Sequence, residues 1–157
     1  MLIFLKILIQ KRIPILVFNA DQKIALLMHP TEGYGLLPGG GIEEGETEED
    51  AFVRECKEEL GCDVDIISKI GTAVQYRSKD SRRYEIHFFA AQVNGEIGVP
   101  TTTQEDELSS VITWLSKEDI LKQLQEQVLF KSNEWYQRQF NSRTHLAAIE
   151  KYLRAQK

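Results

Sequence analysis

Apolar and polar positions divide the chain into strands, one helix, more strands and then further helices. Arg12-Ile-Pro-Ile-Leu-Val-Phe18 and Lys23-Ile-Ala-Leu-Leu-Met28 are apolar runs of strand length. Asn19-Ala-Asp-Gln22 between them supplies turn residues, so the pair predicts a hairpin. Residues 29–35 read as loop, and Leu36-Leu-Pro-Gly-Gly-Gly41 as a glycine cluster that neither a helix nor a central strand would keep. Residues 47–60 predict a helix with Thr47 as N-cap, Asp50 completing a variant capping box, and Gly61 where a left-handed cap belongs. Strands are predicted over 64–70, 72–77, 84–93 and 110–115, with turns at 79–81 and 94–95 and a polar loop over 100–107. Ser116 with Asp119 starts a second helix that runs through 120–130, and residues 132–157 predict one or two amphipathic helices. This order points to the α+β class, a three-layer mixed fold.

The helix over 47–60 is unusual in where its charges fall. At 100° per residue, Phe52, Val53, Cys56 and Leu60 share one arc and form the core face. Glu55, Glu58 and Glu59 share another, at spacings i, i+3 and i+4. Like charges at that spacing cost a helix roughly 0.2–0.5 kcal/mol per pair. A helix tuned only for stability would interleave lysines there, yet Lys57 lies on the opposite side. One explanation is a solvated acidic face. The other is a site for a hard divalent cation such as Mg²⁺, which takes oxygen ligands and bridges carboxylates to phosphates. Arg54 stands beside Glu55, within reach of Glu46 in the preceding loop, and that pair would fix loop against helix; otherwise it is an ordinary surface ion pair worth less than about 1 kcal/mol.

Composition narrows the classes. At 157 residues the chain suits one domain, assigned to residues 1–157, with 1–11 as an N-terminal strand or arm and 117–157 as C-terminal helices. Hydrophobic content of 42% and charged content of 27% are ordinary for a soluble globular protein. A net charge of -5 argues against a nucleic-acid-binding surface. The apolar start, residues 1–10, is interrupted by Lys6, lacks a small-residue cleavage site and is too short to span a bilayer, so it reads as strand or arm and no membrane partner is expected. Cys56 and Cys62 form neither a metal-ligand pattern nor a disulfide framework, which suits a reduced, cytoplasmic protein. His29, His87 and His145 are scattered and read as structural. Arg77, Arg82 and Arg83 flank a hairpin turn, either as phosphate contacts or as solubility devices. Phe18 and Tyr34 read as packing residues or base-stacking ones. Trp135, Tyr136 and Phe140 read as packing on the sheet, a lid, or, with the apolar arm, a homodimer interface.

Gly40, five residues, Glu46, seven residues, then Arg54-Glu55-Cys56-Lys57-Glu58-Glu59-Leu60-Gly61-Cys62 resembles the Nudix box, Gly-x5-Glu-x7-Arg-Glu-U-x-Glu-Glu-x-Gly-U, where U is bulky and apolar. Every fixed polar and glycine position is met. Cys56 and Cys62 occupy U positions and are smaller than usual, a departure that touches packing more than chemistry. With Leu37-Pro38-Gly39-Gly40 at its entry and the later Glu107…Trp114-Leu-Ser pattern, the resemblance covers roughly residues 12–120.

The resemblance implies a mixed β-sheet between helices, with the box as loop–helix–loop. It implies Mg²⁺-dependent hydrolysis (Mn²⁺ as the substitute) of a nucleoside diphosphate linked to another moiety. Glu55, Glu58 and Glu59, aided by the Gly40 carbonyl, would be the metal ligands. Glu46 and Arg54 would orient the loop. The general base would be a box glutamate or an acid of a facing loop, with Glu107 favoured over Glu105. Subfamily markers are missing: Arg77 stands where ADP-ribose hydrolases carry proline, and Tyr76 falls short of the dinucleoside polyphosphate spacing. The leading expectation is a MutT-like enzyme that converts a nucleoside triphosphate, including an oxidised one, to the monophosphate and pyrophosphate. A nucleoside diphosphate sugar or a dinucleoside polyphosphate is the alternative substrate. A non-catalytic Nudix-fold nucleotide sensor is the rival from another class, opposed by the intact glutamates.

Overall fold

The structure, a computed structural model, describes residues 8–103, 110–130 and 136–157. Seven strands form one mixed sheet among these residues. In chain order they are β1 (Leu8–Phe18), β2 (Ile24–Met28), β3 (Gly35–Leu36), β4 (Gly39–Gly41), β5 (Asp63–Arg77), β6 (Arg82–Asn94) and β7 (Val111–Leu115). The path through the sheet is β3-β2-β1-β6-β5, with β4 added to β1 and β7 to β2. β1 runs parallel to β6, from Leu8 opposite Arg82 to Phe18 opposite Gln92, and the other pairings are antiparallel. Three helices complete the fold: α1 (Glu48–Glu55), which continues as a π-helical turn over Cys56–Leu60, α2 (Lys117–Leu129) and α3 (Tyr136–Ala155).

Strand alternation sorts the core into two layers. From β1, Leu16 and Phe18 face α2 and α3 and pack with Phe88, Ile120, Leu124, Ile149 and Tyr152. Ile13, Ile15 and Val17 face the other way and pack with Phe89, Phe52, Cys56 and Leu60 under α1. Each fully buried aliphatic or aromatic side chain contributes about 1.5–3 kcal/mol. The expected sheet between helices is therefore what forms. Among the described residues no helix is long and apolar enough to cross a membrane.

The β1–β2 hairpin turns where the polar residues predict, with the Asn19 Oδ1 accepting from the Lys23 N–H at 2.9 Å. Both helix caps hold: Thr47 Oγ1 accepts from the Asp50 N–H and Ser116 Oγ from the Asp119 N–H, each at 3.1 Å. The glycine cluster stays out of the helices and off the central path of the sheet, as expected, but it adds the short strand β4 to β1, so close that a methyl on Gly39 would sit 2.7 Å from the Pro14 Cα. Two expectations are corrected. The two strands expected over 64–77 are one, since bulges after Ile66 and Lys69 absorb the irregularity around Gly71. Finally, Val53 is only half-buried, and Ala51 joins Phe52 in the core instead.

Candidate active site

The arginine at the centre of α1's last turn organises the site. Arg54 Nε and Nη2 donate to the two carboxylate oxygens of Glu46 at 2.8 and 3.0 Å, a forked pair that closes the loop onto the helix. Nη2 also donates to the Gly41 carbonyl at 2.9 Å. Nη1 donates to Glu55 Oε1 at 2.8 Å and to Glu58 Oε2 at 3.2 Å. The expected Glu46–Arg54 tie is thus present, within a wider network than the spacing revealed. Arg54 holds the Glu46 carboxyl below the usual carboxylate range, and Glu46 in turn raises the Arg54 guanidinium above its ordinary value.

The three glutamates of the helix differ in depth. Glu55 and Glu59 are each 3% exposed, whereas the Glu58 side chain is 41% exposed. Burying a carboxylate costs several kcal/mol unless charge or hydrogen bonds offset it. Arg54 does so for Glu55, and the Gly39 N–H donates to Glu59 Oε2 at 2.6 Å. The turn beneath them is π-helical, a widening that recurs where helices carry function. Among the described residues no three acidic, histidine or cysteine side chains are gathered into a ready-made cation cage. Glu55 and Glu58 share Arg54 while Glu59 binds backbone, so they meet along one helix face without closing on one point.

That face still fits a hard divalent cation. Its donors are carboxylate oxygens flanking a glycine, and Gly40 is required to be one. A methyl there would fall 2.6 Å from Glu55 Cδ and 2.8 Å from Oε2. Gly61 caps the turn at φ 68°, and the next loop returns to the same helix end. Gly98 donates to the Gly61 carbonyl at 2.8 Å, and Thr101 and Thr102 donate to the Glu58 carbonyl at 2.8 and 2.9 Å.

Two clefts meet at residues 36–39. One, of 310 Å³, is bounded by Gly39 and Gly40 and by Arg12, Arg77, Arg82 and Tyr84. The other, of 400 Å³, runs from Glu59 and Ser110 to His29, Tyr34 and Arg138. The C-terminal helices fix the wall between them. Gln127 accepts from the Gly35 N–H at 2.7 Å and donates to its carbonyl at 2.8 Å. His145 Nδ1 accepts from the Leu37 N–H at 3.3 Å, and burial pushes its pKa down to about 3, with the Arg77 charge adding to the effect.

The other chemistry-bearing side chains take structural roles. Besides His145, His87 lies 3.0 Å from Glu48, and burial lowers its pKa. His29 Nδ1 accepts from the Glu32 N–H at 3.2 Å. Burial pushes the Cys56 thiol up, and that of Cys62 to about 11, so both are core residues and poor nucleophiles. Phe18 packs against Tyr152, with ring centroids 5.5 Å apart, in the core. Tyr34 stacks with Arg138 at 4.1 Å on the rim of the second cleft. Glu105, Asp106, Glu107 and Trp135 lie outside the described residues. The spacing gave no sign of Gln127 or of the His145 contact, and it marked Arg77 and Arg82 beside their turn without placing Arg12 with them, because these meetings depend on packing between distant elements.

An acidic helix face, locked by arginine to a glycine strand, on a mixed sheet between helices, defines a class of phosphate-handling fold. A family model described as NUDIX domain matches residues 8–138, and the chain belongs to that family. Members hydrolyse pyrophosphate bonds of small nucleotide substrates with divalent metal ions. The chain is 33% identical over 81 residues to a putative 8-oxo-dGTP diphosphatase of Bacillus subtilis, a stretch covering 52% of each protein. It is 36% identical over 98 residues to an ADP-ribose pyrophosphatase of Methanocaldococcus jannaschii, covering 58% of this chain and 56% of that one. The chain thus spans little more than half the length of these relatives. Its fold matches a MutT protein of Methanosarcina mazei Go1 with a TM-score of 0.63, 18% identity, and 98% and 99% coverage.

Proposed function

We propose that this chain is a Mg²⁺-dependent pyrophosphohydrolase acting on a nucleoside triphosphate, which it cleaves to the monophosphate and pyrophosphate. The observation that carries the reading is the Arg54 network, which presents Glu55, Glu58 and Glu59 beside Gly40 in the family's catalytic pattern. The donor set is made of hard oxygens, which suits Mg²⁺, with Mn²⁺ as its substitute. A cation bound by these glutamates and the Gly40 carbonyl supplies charge neutralisation for the diphosphate and lowers the pKa of water.

The remaining steps belong to the chain itself. Arg54 and Glu46 hold the loop in register with the helix, so that Gly40 and Glu55 keep a fixed relation. Positioning of this kind carries most of the catalysis in phosphoryl transfer. Glu107 is the favoured general base. Support comes from both ends of its loop: Thr102 is tied to the Glu58 carbonyl, and Ser110 lines the same cleft as Glu59. Helices α2 and α3 cover the second face of the sheet, which supports reading residues 1–157 as a single unit. The free, buried thiols suit a reducing cytoplasmic setting.

The relatives' names differ in substrate, so none is transferred. The test is a panel of canonical and oxidised nucleoside triphosphates, ADP-ribose, nucleoside diphosphate sugars and dinucleoside polyphosphates with Mg²⁺, with product identification. Monophosphate and pyrophosphate released from a triphosphate is the expected result. Binding without turnover across the panel would support the non-catalytic sensor instead.

A further inference from the structure

Residues 35–41 cross from one strand to another before they reach the acidic face. β3 pairs with β2 through Gly35 and Leu36, and β4 pairs with β1 through Gly39, Gly40 and Gly41. Along the crossing, side chains from all three helices hold the backbone. The Gly35 N–H donates to Gln127 on α2, the Leu37 N–H to His145 on α3, and the Gly39 N–H to Glu59 in the π-helical turn after α1, at 2.7, 3.3 and 2.6 Å. These are alternate residues, so their N–H groups leave one edge of an extended chain. On the other edge the Pro38 carbonyl accepts from the Ile15 N–H at 2.7 Å. The far end of this edge is Gly39, directly before the Gly40 that packs on Glu55.

Gln127 makes the most complete of these ties. Its amide acts as a strand partner, with Oε1 accepting from the Gly35 N–H and Nε2 donating to the Gly35 carbonyl at 2.8 Å. Nε2 also donates to Ser142 Oγ on α3 at 2.9 Å. One turn earlier on α2, Gln123 donates to Gln127 Oε1 at 2.8 Å and to the Gly33 carbonyl at 2.9 Å. Gln127 is buried, so water does not compete for these bonds, and an amide satisfied at both atoms has one orientation. Gly35 has no room on its other side, since a methyl there would meet Leu26 Cδ2 at 2.7 Å. The described residues that bound the two clefts do not include Gln127. It therefore reaches the site only through the backbone it holds.

We propose, resting on the pyrophosphohydrolase reading, that Gln127 is a positioning residue for the reaction: by pairing with the Gly35 peptide it sets the register of residues 35–40 and so holds Gly39 and Gly40 in place against Glu59 and Glu55. A misplacement of about 1 Å, even with a remote cause, costs on the order of 100-fold in rate. Loss of the Gly35 pair therefore appears in kcat. KM, set in clefts that Gln127 does not bound, stays the same.

The test compares three variants, with circular dichroism to confirm folding. Gln127→Met keeps the length of the side chain and removes both bonds to Gly35. Gln123→Ala leaves the Gln127 amide in place and removes its support. Ile120→Val is a core change on the same helix, away from Gly35. The first readout is kcat and KM for a nucleoside triphosphate with Mg²⁺. The second needs no turnover: amide hydrogen exchange at Gly39, compared with Cys56 in the helix core. In Gln127→Met, kcat falls about tenfold or more at unchanged KM. Its Gly39 amide exchanges about tenfold faster while Cys56 keeps the wild-type rate. Gln123→Ala shows the same pattern more weakly, and Ile120→Val shows neither change. Wild-type kcat and Gly39 exchange in both amide variants overturn the proposal. So does an equal loss of kcat in Ile120→Val, or an equal speeding of Gly39 and Cys56, because either marks lost stability alone. If Gln127→Met does not fold, Gln123→Ala decides by the same criteria. If wild type turns over nothing, the hydrolase reading fails, and the exchange measurement still decides whether Gln127 sets the position of Gly39.

Discussion

Arg54 serves four acceptor residues at once, Glu46, Gly41, Glu55 and Glu58, and its loss exposes what each was compensating. Arg54→Ala leaves Glu55, almost wholly buried, without that partner. Breaking a buried pair costs about 3–5 kcal/mol; with the Arg54 side chain a quarter exposed, about 3 kcal/mol is expected from urea unfolding. Glu58→Gln should behave oppositely: the carboxylate sits at the rim, so the unfolding midpoint stays close to wild type while turnover falls roughly 10–100-fold or more. Wild-type rates from that variant would remove Glu58 from the assignment. Gly40→Ala pushes a methyl into the Glu55 carboxylate, and a displacement of about 1 Å in the site costs on the order of 100-fold in kcat. At this scale the sequence exposed the Glu46–Arg54 tie and the acidic arc, since both follow from spacing along one helix. It did not expose the inequality of the three glutamates. Periodicity gives a direction around the helix axis and says nothing of depth, and the π-helical turn shifts that direction midway along the arc.

Helix α1 depends on its ends. Thr47 satisfies the Asp50 N–H, so Thr47→Ala should cost about 1 kcal/mol in chemical denaturation, and Ser116→Ala about as much for α2. Gly61→Ala should cost more than either. Its φ of 68° is strained for any residue with a Cβ, and the added methyl would lie 2.7 Å from the Val99 carbonyl carbon. The Gly98 N–H bond to the Gly61 carbonyl, at 2.8 Å, anchors the chain at this point, and the added methyl would disturb it, so the variant should lose activity beyond its loss of stability. A Gly61→Ala protein with full activity would detach this loop from the site. Caps and the β1–β2 turn were legible because their chemistry is local. β4 was not, because a strand of three glycines gains its place only from the backbone of β1, which is distant in sequence and close in space.

The assembled molecule ties the site to its C-terminal helices, and His145 makes that tie pH-dependent. The ring is buried, accepts the Leu37 N–H, and has its pKa pushed down to about 3 by burial first and the Arg77 charge second. In the unfolded chain a histidine takes a proton near pH 6.5, about the ordinary value. The folded state is therefore favoured in full above that pH, and loses ground as pH falls from 6.5 towards 3, because only the unfolded chain binds the proton. The slope is about 1.4 kcal/mol per pH unit, so about 2 kcal/mol of stability should disappear between pH 7.5 and pH 5. His87, whose pKa is also lowered by burial, acts in the same sense. His145→Asn keeps an acceptor for Leu37 and removes the titration, so its urea midpoint should vary much less over that interval than wild type does. Equal slopes in the two proteins would assign the pH dependence elsewhere. Because the folded ring stays neutral down to about pH 3, the Leu37 contact and the glycine strand it leads into should persist in folded protein over this interval, so the loss belongs to the unfolding equilibrium and the folded fraction should keep its activity.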